Sequence, residues 1–185
     1  MLQDDRDLLE RQTASETLYE GSSYRFTLDE VLLPSGQKRR REHLHHPGGG
    51  AVLALDGEGR IPMVRQYRHP IAQVTMEIPA GKLDKIEGET PEQAALRELR
   101  EETGMIAGHI EPMGFIFPSP GVVDERLWLF FATELTPASQ DLDEDEFIHV
   151  CWLPAKELAR QIAEGENNDA KAHCAFLRAR LLGKL

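Results

Sequence analysis

Arg97-Glu98-Leu99-Arg100-Glu101-Glu102-Thr103-Gly104-Met105, with Pro79-Ala80-Gly81-Lys82 upstream of it, is the stretch whose reading decides the fold. Wound as a helix, it places Glu98, Glu101 and Glu102 at i, i+3 and i+4, so three carboxylates share one face while Ala95, Leu96 and Leu99 occupy another. Like charges at these spacings repel by roughly a few tenths of a kcal/mol per pair. Something cationic should compensate, and clustered carboxylate oxygens suit hard divalent ions such as Mg²⁺. A solvated acidic face is the plain alternative. The ends of the element are well marked: Thr90 as N-cap, Pro91 at the first helical position, Gln93 completing a capping box and Gly104 as the terminator predict a helix over 91–103.

The order Gly, acidic residue, Arg-Glu-apolar-x-Glu-Glu-x-Gly-apolar resembles the Nudix box of the Nudix hydrolase superfamily, whose members cleave nucleoside diphosphates linked to another group. One departure stands out. The family has five residues between the first Gly and the acidic residue, whereas Gly81 and Glu89 are separated by seven, Lys82 to Gly88; choosing Glu87 restores the five but leaves nine before Arg97. A longer loop costs little closure entropy. The open question is whether Glu89 or Glu87 braces the loop.

With 21 Lys and Arg against 32 Asp and Glu, the net charge of −11 argues against general affinity for nucleic acid or anionic membranes. A phosphorylated substrate then needs bound cations and a few placed arginines. Cys151 and Cys174 have no metal-type pairing, so neither a disulfide framework nor a zinc site is expected from them. The polar lead Met1 to Arg11 lacks an apolar core of the signal-peptide kind, and no stretch reads as a membrane span; a soluble, cytoplasmic protein is the expectation.

Tyr24, Phe26 and Leu28 alternate into Val31-Leu32-Leu33, and Pro34-Ser35-Gly36 turns the chain, predicting a hairpin whose return strand carries Lys38-Arg39-Arg40-Arg41 as a solvated edge. His43, His45 and His46 follow. A metal role is not expected for them, since strand neighbours point to opposite faces and no carboxylate or Cys accompanies them. A boundary near Pro47 separates an N-terminal β lobe, 1–47, from a domain over 48–185. In the latter, strands are expected at Ala51 to Leu55, Ile61 to Tyr67, Val74 to Ile78, His109 to Phe117, Leu127 to Leu135 and Phe147 to Leu153. Helices are expected at Ala155 to Glu164 and Lys171 to Leu182, the last capped by Asp169 or Asn168. Interleaved strands and helices indicate an α/β fold. The resemblance implies the Nudix αβα sandwich with a mixed β-sheet and a small N-terminal β lobe.

Three further segments are similar to the ADP-ribose pyrophosphatase branch: Val64-Arg65-Gln66-Tyr67-Arg68, Glu77 to Asp84, and Ser119-Pro120-Gly121 followed by Glu125, with Pro120 sixteen residues after Gly104. The resemblance implies metal ligands at the backbone carbonyl of Ala80 and at Glu98 and Glu102, with Glu101 completing a second ion. Two or more Mg²⁺ are implied, with Mn²⁺ as the alternative. It also implies phosphate contact from Arg68, and Arg65 is a second candidate; guanidinium forks match phosphate oxygens. Pro120 and Glu125 are candidate substrate contacts, and Arg97 reads as a brace for a carboxylate. The general base is expected from an acidic loop, where Asp143-Glu144-Asp145-Glu146 picks out Glu144 with Glu146 as rival.

The implied reaction is attack of metal-activated water on a phosphorus of ADP-ribose, giving AMP and ribose 5-phosphate. GDP-mannose or another nucleoside diphosphate sugar is the rival substrate. A non-catalytic ADP-ribose sensor would carry an eroded box or an attached helix-turn-helix, and neither appears in this sequence. The resemblance further implies a homodimer built through the N-terminal lobe, strand exchange included.

Overall fold

The computed structural model describes residues 5–185; residues 1–4 of the polar lead lie outside the described residues. The chain forms two compact units. One runs up to Pro47 and also takes in Ser119–Glu125; the other comprises Gly48–Pro118 and Arg126–Leu185. Among the described residues, no helix is long and apolar enough to cross a membrane.

The first unit is a three-stranded antiparallel sheet in the order β1-β2-β3, with β1 at Arg11–Glu20, β2 at Arg25–Leu32 and β3 at Lys38–His45. The expected hairpin is β2–β3, and its Lys-Arg run is exposed. Strand β1 escaped the sequence reading because every one of its residues is exposed, so it has no apolar alternation. The burial phase of β2 also differs from the apolar pattern. Thr27, Asp29 and Val31 form the buried row, whereas Phe26 and Leu28 are half-buried. The reason lies on β3 and in the returning segment. His43 and His45 are two apart and share a face, and Asp124 meets them from a point 78 positions beyond His46. The expectation that no carboxylate accompanies these histidines is thereby corrected.

The second unit contains β4 (Gly49–Ala54), β5 (Arg60–Arg68), β6 (Gln73–Glu77), β7 (Ala80–Lys82), α1 (Pro91–Thr103), β8 (Met105–Ile116), β9 (Leu127–Pro137), β10 (Ile148–Pro154), α2 (Ala155–Glu164) and α3 (Ala170–Leu181). One sheet has the order β7-β4-β9-β8 and the other β10-β5-β6. β4 and β9 run parallel and the remaining pairs antiparallel, so the larger sheet is mixed. All six residues of β4 are buried, which marks a strand covered on both faces. Val52 and Ala54 pack with Ala95 and Leu99 of α1; Ala51 and Leu53 belong to a second core with Leu158 of α2 and Ala172, Ala175 and Ala179 of α3. This helix–sheet–helix layering is the sandwich expected from the sequence.

Candidate active site

Helix α1 starts and stops where its sequence dictates. The Thr90 hydroxyl accepts from the Gln93 backbone N–H at 3.2 Å, and the Gln93 side chain accepts from the Thr90 N–H at 2.9 Å. Gly104, at φ 68°, ends it in the left-handed region. With Ala95 and Leu99 committed to the core, Glu98 and Glu102 are buried on the adjoining face, against the start of β7. The Ala80 N–H donates to Glu102 at 3.2 Å. Gly81 makes this approach possible, since a Cβ there would stand 1.7 Å from Glu98 Oε1. The glycine of the box is therefore the floor on which the Glu98 carboxylate rests.

Arg97 ties the box together. Its Nε and Nη2 donate to Glu89 at 2.8 and 3.0 Å, and its Nη1 donates to Glu98 at 2.6 Å and Glu101 at 2.9 Å. The bracing role falls to Glu89, while Glu87 is exposed, so the two extra residues bulge within Lys82 to Gly88. Arg97 is a brace, as its helical position suggested.

Electrostatics separates the buried glutamates. Burial, the Glu98 charge and the Glu146 charge push Glu102 well above the ordinary carboxylate range, against the Ala80 N–H and the more distant Lys171 charge. Among the described residues no cation forms an ion pair with Glu102. Glu98 is also raised, by burial first, although Arg97 opposes this. Two buried carboxylates one helical turn apart, with one arginine between them and Glu101, fit a hard divalent cation. Carboxylate and carbonyl oxygens are the donors such an ion takes, and the Ala80–Gly81 strand supplies the backbone.

Glu77 sits in the opposite environment. Burial raises it, but the Arg68 fork, Lys171 and Thr75 outweigh burial and bring it down to about 2. Arg68 donates through Nε at 2.8 Å and Nη2 at 2.7 Å, while Lys171 bonds both Glu77 and Asp169. Arg68 is thus held by a buried carboxylate and lies close enough to feel the Glu102 charge. Arg65, three positions earlier on a regular strand, points to the other sheet face, where it influences Cys151. The structure does not bring it together with Arg68. The Glu77–Lys171 contact spans 94 positions, and no local signal in the sequence announces it.

In the acidic loop, Glu144 is exposed at a turn. Glu146 is half-buried, and its charge reaches Glu98 and Glu102. Lys85, from the extended box loop, bridges Glu101 at 3.1 Å and Asp143 at 3.0 Å, fastening this loop to α1. Pro120 and Glu125 lie in the segment that belongs with the N-terminal unit; Pro120 is exposed, and Glu125 stands 3.9 Å from His46.

The chain belongs to the NUDIX domain family, whose sequence model matches residues 44–176. It is 40% identical to an ADP-ribose pyrophosphatase of Bacillus subtilis over 92% of both chains. A methanol dehydrogenase activator of Bacillus methanolicus is also 40% identical, over 88% of both chains. At 30% identity over 89% of both stands a GDP-mannose pyrophosphatase of Pectobacterium atrosepticum. The crystal structure of an ADP compounds hydrolase superposes with a TM-score of 0.81, covering 97% of this chain and all of that one; at 19% identity this likeness concerns the fold.

Proposed function

We propose that the chain hydrolyses the diphosphate of ADP-ribose to AMP and ribose 5-phosphate. The carrying observation is the buried Glu98–Glu102 pair, set against Ala80–Gly81, both members raised first by burial and Glu102 also by the Glu98 charge. The ADP-ribose pyrophosphatase likeness, running through 92% of both chains, supplies the substrate class. Glu98, Glu102 and the Ala80 carbonyl would hold Mg²⁺ or Mn²⁺, with Glu101 at a second ion. Such ions neutralise the diphosphate and acidify the attacking water.

The protein's own groups do the rest. Arg97 and Glu89 fix the side-chain directions of Glu98 and Glu101. Glu77, itself bonded by Lys171, holds Arg68 as a pre-formed phosphate contact; Pro120 and Glu125 stay candidate substrate contacts, and Arg65, on the opposite sheet face, is left out of this reading. Glu144, on the loop that Lys85 anchors, takes the proton of the attacking water when the loop closes. Two cysteines that form no disulfide suit a cytoplasmic setting. The fully exposed edge strand β1, with Leu18 and Tyr19 uncovered, suits burial against a second copy, so a homodimer is part of this reading. Light scattering should give twice the chain mass, and a monomer would remove that part.

GDP-mannose is the second reading, favoured by the 30% identical relative. Purified protein with Mg²⁺ and equal ADP-ribose and GDP-mannose, resolved by chromatography beside a chelated control, should yield AMP and ribose 5-phosphate in excess. GMP and mannose 1-phosphate in excess would transfer the assignment to the second reading.

A further inference from the structure

We propose that His43, His45 and Asp124 form a binding site for a divalent transition-metal ion of the Zn²⁺ class, separate in its residues from the acidic helix. Asp124 Oδ2 stands 3.1 Å from His43 Nε2 and 3.3 Å from His45 Nδ1, and ligand atoms of all three side chains lie within 4.8 Å of one another. Donors about 2.0–2.1 Å from a tetrahedral ion are separated by about 3.3 Å, so the two measured distances are already those of a coordination edge. The two rings lie 3.8 Å apart, centroid to centroid, and turn both nitrogens toward the same carboxylate oxygen.

The groups behind these donors set their direction. The buried Asp29 carboxylate accepts from His43 Nδ1–H at 3.3 Å, and its other oxygen accepts from the Ser15 hydroxyl at 2.6 Å. That leaves the His43 Nε2 lone pair facing a carboxylate oxygen, two acceptors that only a proton or a cation can join. His45 presents Nε2 to the fully buried Thr27 hydroxyl at 3.2 Å and Nδ1 to Asp124. Asp124 is oriented in turn, because its Oδ1 accepts from the His46 N–H at 2.8 Å. Imidazoles backed by a carboxylate and a hydroxyl are the usual support of metal-ligating histidines. This also explains why β2 buries the polar row Thr27–Asp29 in place of Phe26 and Leu28.

Two imidazoles select Zn²⁺, Ni²⁺ or Cu²⁺ over Mg²⁺, whereas the all-oxygen donors of the box favour Mg²⁺. Three protein ligands leave a fourth position for water. The ion would clamp the returning segment onto β3, reinforcing the Leu44–Val122 and Asp124–Leu44 backbone bonds, and that segment carries Pro120 and Glu125.

Calorimetric titration of the full chain with Zn²⁺, Mg²⁺ being in large excess, tests the site. Wild type should take up one equivalent, which Glu102→Gln retains. Asp124→Asn and His45→Gln should lose it, and Asp29→Asn should weaken it by about 10–100-fold. X-ray absorption on the wild-type protein loaded with one equivalent of Co²⁺ should show two imidazoles, a readout independent of how any variant folds. No Zn²⁺ uptake, uptake abolished by Glu102→Gln but not by His45→Gln, or a spectrum without imidazole would overturn the proposal and leave a proton as the bridge between His43 and Asp124.

Discussion

Glu77 and Glu102 are both buried glutamates of the second unit, yet they are treated in opposite ways. Glu77 receives an arginine fork, a lysine and a hydroxyl from the protein itself, and is drawn down to about 2. Glu102 receives one backbone N–H and a carboxylate neighbour, and is pushed up. A buried carboxylate that the fold neutralises is a structural element. One that it leaves short of positive charge, beside a second such group, is the one we propose to receive a cation from outside. Lys171 illustrates how selective this is, since it bonds Glu77 directly and reaches Glu102 only through its field.

The sharpest way to break this contrast is to neutralise one member at a time. Glu102→Gln should cut Mg²⁺-dependent turnover by about a thousandfold or more with the fold intact, as steady-state kinetics and circular dichroism would show; near wild-type turnover would remove its assigned role. Glu144→Gln should lower kcat by about a hundredfold and hardly change KM. A larger loss in Glu146→Gln would move the base to the residue already nearer the box.

Glu77→Gln should act on stability instead, because it removes the carboxylate partner of Arg68 and leaves Lys171 with Asp169 alone. A loss of about 3 kcal/mol, or roughly 6–12 °C in Tm, is expected by calorimetry. Acid should reproduce that loss in wild type. Glu77 is depressed on folding, so its contribution is complete above the ordinary glutamate pKa and fades as pH falls toward 2. The Tm difference between wild type and Glu77→Gln should therefore narrow over that window. The smallest effect concerns metal-free protein at neutral pH, where Glu102→Gln should melt slightly higher than wild type by calorimetry, since it relieves a raised carboxylate.

What the sequence revealed follows distance along the chain. The helix, its capping box, Gly81 and the Glu98–Glu102 pair are encoded within a short span by turn chemistry and helical spacing, and the structure places them as expected. The loop extension before Arg97 left two candidate braces, and only geometry selects Glu89. Arg65 and Arg68 read alike in a motif, yet period-two alternation separates their faces. The Glu77–Lys171 pair and the Asp124–histidine cluster join residues too far apart for any local pattern to record. Strand β1 is silent in the sequence for a different reason: with no buried side it has no hydrophobic period.

The most direct test is Mn²⁺ binding followed by electron paramagnetic resonance in wild type, Glu102→Gln and Glu77→Gln. The account predicts tight uptake by wild type, at least about tenfold weaker uptake by Glu102→Gln, and near wild-type uptake by folded Glu77→Gln. Equal Mn²⁺ affinity in wild type and Glu102→Gln would contradict it.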